Sequence, residues 1–206
     1  MQFITKLGDI SLLMPLSFVL ALTLWHWETP AAAKRFMAGL GLCLTTTLVL
    51  KLLFLTCNDQ GIFNISSPSG HTAASAFVFS SLGLVLSNQC ERPIKVLIRA
   101  AALVLVLSIA ASRVAVGAHS FTEVALAMVV GTGSFFYFAK GYSQMKNPRF
   151  EGWILAVAAG VVVVVLYGTQ APAERFIRKI AALMRVESNA CTFQPGAVKP
   201  RLPANT

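Results

Sequence analysis

Apolar residues come in long blocks, and short polar stretches separate them. Blocks of about 17–25 residues are long enough to cross a bilayer as helices. Six fit that length: residues 10–27, 36–57, 68–87, 96–112, 120–139 and 153–169. The first closes on Trp25, His26 and Trp27, a pattern that suits an interfacial aromatic belt and makes His26 an interface residue. Lys6, the apolar run and Ala31–Ala33 also fit a cleavable signal peptide, but the run is long and Trp-rich at its end, which favours a membrane helix. The third block is rich in Ala, Ser and Gly, which lets helices pack closely in lipid. After the sixth, Phe176, Ile177, Ile180, Leu183 and Met184 alternate with Arg175, Arg178, Lys179 and Arg185 at helical spacing, as in a helix lying in the headgroup plane. The stretch 186–206, with Pro195, Pro200 and Pro203, reads as a flexible tail. The expected fold is all-α: a polytopic bundle of six transmembrane helices over residues 1–170, with an interfacial amphipathic helix and tail over 171–206.

Composition agrees. Of 206 residues 56% are hydrophobic and 12% charged, against about 25% charged in soluble domains. The net charge of +9 is spread over short loops and the tail without interleaved aromatics, so a nucleic-acid partner is not expected and a lipid bilayer is. Cys43, Cys57, Cys90 and Cys191 make no metal-binding spacing. Counting spans puts the N-terminus, the 58–67 loop, the 113–119 loop and the C-terminus on one side. The opposite loops carry Lys34, Arg35, Arg92, Lys95, Arg99, Lys140, Lys146 and Arg149, an excess that marks the cytoplasmic face. The 58–67 and 113–119 loops then face outward, with Cys57 and Cys191 on that side and able to pair if their Cα atoms come within about 7 Å.

That face gathers the chemistry. Lys51 lies in the last turns of the second span, at a depth that is costly unless the side chain snorkels or finds a partner. In Ser66-Ser67-Pro68-Ser69-Gly70-His71, Ser67 is a suitable N-cap and Pro68 a suitable first helical residue. The next N–H groups would then face an anion, with no side chain at Gly70 to block its approach. Arg113 ends the fourth span, and His119 and Glu123 open the fifth. Ser120-Phe121-Thr122-Glu123 is also a capping-box pattern. Two of the three histidines thus fall at one face beside two cations at helix ends. Such a set suits phosphoryl transfer. Lys51, Arg113, the Ser69 hydroxyl and the backbone at Gly70 can cradle phosphate oxygens. One histidine can attack phosphorus while the other protonates the leaving oxygen. Glu123, one turn beyond His119, can hold the far ring nitrogen. No cofactor and no metal are expected, because the cations supply the positive charge.

Pro68-Ser69-Gly70-His71 and Ser112-Arg113-x5-His119-x3-Glu123 resemble the second and third motifs of the type-2 phosphatidic acid phosphatase superfamily, whose pattern is K-x6-R-P, P-S-G-H and S-R-x5-H-x3-D. The six-span layout resembles its membrane-bound lipid phosphatases. The resemblance implies His119 as the nucleophile that becomes a phosphohistidine and His71 as the general acid. It also implies Glu123 as the residue that orients His119, with Lys51, Ser69, Gly70 and Arg113 as phosphate ligands. Two positions depart from the pattern. Asn58-Asp59 stands where Arg-Pro is usual, leaving Asn58 a neutral donor to the phosphate, and Glu123 replaces Asp. The expected activity is metal-independent hydrolysis of a membrane lipid phosphate: undecaprenyl diphosphate, phosphatidylglycerol phosphate, phosphatidic acid or lipid A. A lipid phosphotransferase and a catalytically silent lipid-binding or transport relative are the alternatives. The expected location is a bacterial cytoplasmic (inner) membrane, with the site on the outer face.

Overall fold

A computed structural model describes residues 2–57, 67–88, 90–143 and 152–168. Among them every regular element is helical: α1 (Gln2–Leu7), α2 (Ile10–Thr23), a π-helical segment (Leu24–Glu28), α3 (Pro30–Cys57), α4 (Gly70–Ser87), α5 (Arg92–Ala115), α6 (Phe121–Tyr142) and α7 (Gly152–Leu166). Five stretches are long and apolar enough to span a membrane: Ile10–Glu28, Pro30–Phe54, Gly70–Ser87, Arg92–Ala115 and Phe121–Tyr142. The sixth expected span is shorter. α7 has 15 residues, a rise of about 22 Å against a hydrocarbon core of about 30 Å. The amphipathic segment, the tail, Asn58 and Cys191 lie outside the described residues, as does the side chain of Cys57, and with them the expected disulfide.

α4 is the axis of the bundle. Of its residues 67% are buried, against 17% in α5, which turns Leu97, Leu103, Val104 and Leu107 outward. Its small residues explain the difference, because a helix with short side chains accepts neighbours on every side. Gly131 of α6 packs so closely that a Cβ there would lie 2.4 Å from the Ala73 carbonyl oxygen, and one at Gly83 would lie 2.7 Å from Ala102 Cβ. Towards the far face Phe36, Phe77, Phe138 and Tyr142 form a buried aromatic stack, with successive ring centroids 5.3–5.5 Å apart.

The two ends of the bundle are differently built. At one end the π-helical turn exposes Trp25, His26 and Trp27 and points Glu28 inward, where Tyr142 donates its hydroxyl to Glu28 Oε1 and Asn88 Nδ2 donates to Tyr142 Oη at 3.4 Å. Arg35 lies over the Tyr137 ring, and Arg99 Nε donates to Ser87 Oγ at 3.0 Å. At the opposite end α1 and the ends of α3 and α5 meet the starts of α4 and α6.

Candidate functional site

The start of α4 differs from the sequence expectation. The N-cap is Ser69 and the helix begins at Gly70, two residues beyond the position expected from Ser67 and Pro68. Ser69 Oγ accepts from the Thr72 N–H at 3.4 Å and the Thr72 hydroxyl at 3.0 Å. Ser67 is drawn elsewhere, its N–H donating to Glu123 Oε1 at 2.9 Å. The Ser69 N–H donates to the Glu123 backbone carbonyl at 3.5 Å, so it is not one of the anion-facing donors expected from the sequence. The N–H groups of Gly70 and His71 remain in the first turn, where no carbonyl of the same helix can reach them.

Lys51 meets this helix start. It is 5% exposed, and a Cβ built on Gly70 would lie 3.8 Å from its Nζ. The ammonium is therefore turned inward against the bare backbone at Gly70 and does not snorkel. Its positive charge and the positive end of the α4 dipole lie together, an arrangement that favours an anion between them.

His119 and Glu123 are in direct contact. His119 Nδ1 lies 2.8 Å from Glu123 Oε2, with both side chains about 5% exposed or less. An ionised carboxylate can only accept, so the proton facing it is on Nδ1, and in the neutral ring the lone pair is then on Nε2. Glu123 also completes a capping box: the Ser120 N–H donates to Oε2 at 3.1 Å, and the Glu123 N–H donates to Ser120 Oγ at 3.3 Å. The cap and the histidine partner are thus one carboxylate with two uses. The longer side chain at this position still reaches the ring. Arg113 joins through the backbone, since its carbonyl accepts from the N–H groups of Ala118 and His119 at 3.1 and 3.3 Å. Gly117, at φ +70°, supplies the left-handed residue that this tight return needs.

His71, 23% exposed at the side chain, lies on the first turn of α4 with Nε2 3.5 Å from Asp9 Oδ2. Asp9 is a residue that sequence reasoning missed. Its only signal was a lone acid ahead of an apolar run. The structure thus brings Lys51, Ser69, Gly70, His71, Arg113, His119 and Glu123 to one end of the bundle; Asn58 lies outside the described residues. Among the described residues no cluster of three or more His, Cys, Asp or Glu is placed to hold a metal ion.

The family model described as the PAP2 superfamily matches residues 15–147, which hold every one of these residues except Asp9. The chain belongs to the PAP2 superfamily. No curated protein and no solved structure matches it. PAP2 membership points to phosphatase activity on phosphorylated lipids or related substrates. The long apolar helices make this PAP2 protein a membrane protein.

Proposed function

We propose that this PAP2 protein is a lipid phosphate phosphatase that works through a phosphohistidine at His119. The observation that carries the reading is the 2.8 Å contact of His119 Nδ1 with Glu123, which fixes the proton on one nitrogen and leaves the other nucleophilic. In the first step Nε2 of His119 attacks phosphorus in line. The P–O bond to the leaving group breaks, and the leaving oxygen takes a proton from His71. In the second step water attacks the phosphohistidine. His71 accepts the water proton, and phosphate and neutral His119 are released. Lys51, Arg113, the Ser69 hydroxyl and the α4 N–H groups at Gly70 and His71 hold the phosphoryl oxygens as charge develops on them. Each charge-assisted bond contributes roughly 1.5–3 kcal/mol. Asn58, which follows Lys51 at the spacing of the family's arginine, is proposed as a neutral donor to the same group. The cations serve where other phosphatases use metal ions.

A lipid substrate is supported by what adjoins the site. An apolar groove of about 600 Å³ runs between α5 and α6. Val114 and Phe121, beside Arg113 and His119, lie at its upper end, and Leu107 and Met128 lie about two turns deeper. A lipid tail laid in this groove brings its phosphate to Arg113 and His119. The phosphomonoester or diphosphate is carried by undecaprenol, phosphatidylglycerol, diacylglycerol or lipid A, in a bacterial cytoplasmic membrane with the site on the outer face. The test is phosphate release from a panel of these lipids in detergent micelles with chelator present. Release from at least one supports the reading. Transfer of the phosphoryl group to an acceptor lipid without free phosphate contradicts it.

A further inference from the structure

Residues 2–9 precede the first apolar block and lie outside the matched family region. They nevertheless pack on the site. α1 lies along the end of α5, where Thr5 Oγ1 donates to Ser112 Oγ at 2.9 Å, one residue before Arg113. The chain then turns, with the Gly8 N–H on the Thr5 carbonyl at 3.1 Å and the Asp9 N–H on the Lys6 carbonyl at 3.2 Å. The turn is pressed into the gap between α4 and α5. A Cβ on Gly8 would lie 2.9 Å from Ile109 Cγ2, 3.1 Å from Ser75 Oγ and 3.5 Å from His71 Cβ, so any larger residue here would have to push Ile109 aside.

The consequence is the position of Asp9. Its two carboxylate oxygens have separate uses. Oδ1 caps α2, accepting from the Ser11 N–H at 2.9 Å and the Ser11 hydroxyl at 2.8 Å. Oδ2 faces His71 Nε2 at 3.5 Å. The described residues hold four carboxylates: Glu28 and Glu91 at the far end, and Asp9 and Glu123 at this one. Each of the two near carboxylates stands against one of the two histidines of the site. The pairing has a reason. A histidine must hold a proton before it can donate one; the cations gathered at this end disfavour that protonated form, and a carboxylate beside the ring offsets them.

We propose that Asp9 is a positioning residue for His71, and that residues 2–9 are thereby part of the catalytic apparatus. The proposal rests on the reading of His71 as the proton donor to the leaving oxygen. Asp9 holds Nε2 and provides a countercharge, so the ring delivers its proton from the nitrogen turned away from Asp9. In that step the proton passes from His71 to the leaving oxygen as the P–O bond breaks, and Asp9 stays ionised throughout.

The experiment compares two substrates that share the phosphoryl group and differ in the leaving group, using the full-length protein in detergent micelles. An alkyl lipid phosphate expels an alkoxide that needs a proton. An aryl phosphate, p-nitrophenyl phosphate, expels a phenolate that leaves without one. Asn and Ser cap helices about as well as Asp, so Asp9→Asn and Asp9→Ser keep the cap on α2 and remove the carboxylate. Both variants are expected to lower the ratio of alkyl to aryl turnover by about tenfold to a hundredfold, in the same direction as His71→Ala. An unchanged ratio in both variants while His71→Ala lowers it overturns the role of Asp9 alone, whether absolute rates hold or fall together as a purely structural cap would make them. An unchanged ratio in His71→Ala removes the proton-donor reading itself, and the proposal with it.

Discussion

Replacing Glu123 by Gln changes few atoms and removes a charge that the structure uses several times over. The Glu123 carboxylate accepts from the Ser67 N–H at 2.9 Å, from His119 Nδ1 at 2.8 Å and from the Ser120 N–H at 3.1 Å. Its side chain is 4% exposed, so water has little access to replace a lost partner. Glutamine offers one acceptor oxygen and one NH2 group. If the oxygen takes the place of Oε2, the NH2 group confronts the Ser67 N–H; if it takes the place of Oε1, the NH2 group confronts both His119 and Ser120. Leaving one buried donor unsatisfied costs about 1–3 kcal/mol of stability. Catalysis loses more directly. The charge-assisted bond that fixes the His119 proton becomes a neutral one, and a loss of roughly 1.5–3 kcal/mol lowers kcat by about tenfold to 150-fold. The assay is phosphate release from lipid phosphate micelles, run well below the unfolding midpoint measured in the same detergent. A folded Glu123→Gln protein whose kcat stays within about threefold of the parent would show that the Glu123 charge does not hold His119 for attack.

Three further outcomes follow from contacts elsewhere in the bundle. Gly70→Ala places a methyl 3.7 Å from Lys51 Cε, an ordinary contact, at a helical position without positive φ, so thermal stability should hold. The methyl occupies the phosphate's approach, and lipid phosphate turnover should fall by at least about tenfold; full activity would argue that no phosphate oxygen comes close to this backbone. Gly131→Ala drives a methyl against the Ala73 carbonyl and Ala76 Cβ, and is expected to cost about 1–3 kcal/mol in detergent unfolding as α4 and α6 move apart; an unshifted midpoint would contradict the packing. Tyr142→Phe leaves Glu28 Oε1, at the end away from the site, without its hydroxyl donor, so stability should drop by about 1–3 kcal/mol while KM is unchanged; a raised KM would tie that end of the bundle to substrate binding.

What could be read from the chain alone was set by chemistry that demands particular residue types. Phosphate needs cations and bare N–H groups, and helices that alternate direction bring every second loop to one face. Lys51, Gly70, His71, Arg113, His119 and Glu123 therefore stand out in the sequence. The five long spans were legible for a similar reason, because a bilayer enforces length and apolarity together. Where spacing alone had to decide, it did worse. Ser67 and Ser69 are both good caps, and the choice between them is made from another helix, by Glu123 taking the Ser67 N–H. α1 and Asp9 were illegible because six residues carry too little periodicity to mark a helix. Their order comes from Gly8 docking on α4 and α5, a tertiary fact. α7 was expected to be longer because a run of valines is apolar wherever the helix stops.

The most direct test of phosphoryl transfer through His119 compares the parent and His119→Ala proteins, purified in detergent, for phosphate release from a panel of lipid phosphates in the presence of chelator. The parent is expected to release phosphate from at least one lipid, and His119→Ala, still folded, to lose several orders of magnitude of that release. Undiminished release by His119→Ala, or no release by the parent from any phosphorylated lipid, would contradict it.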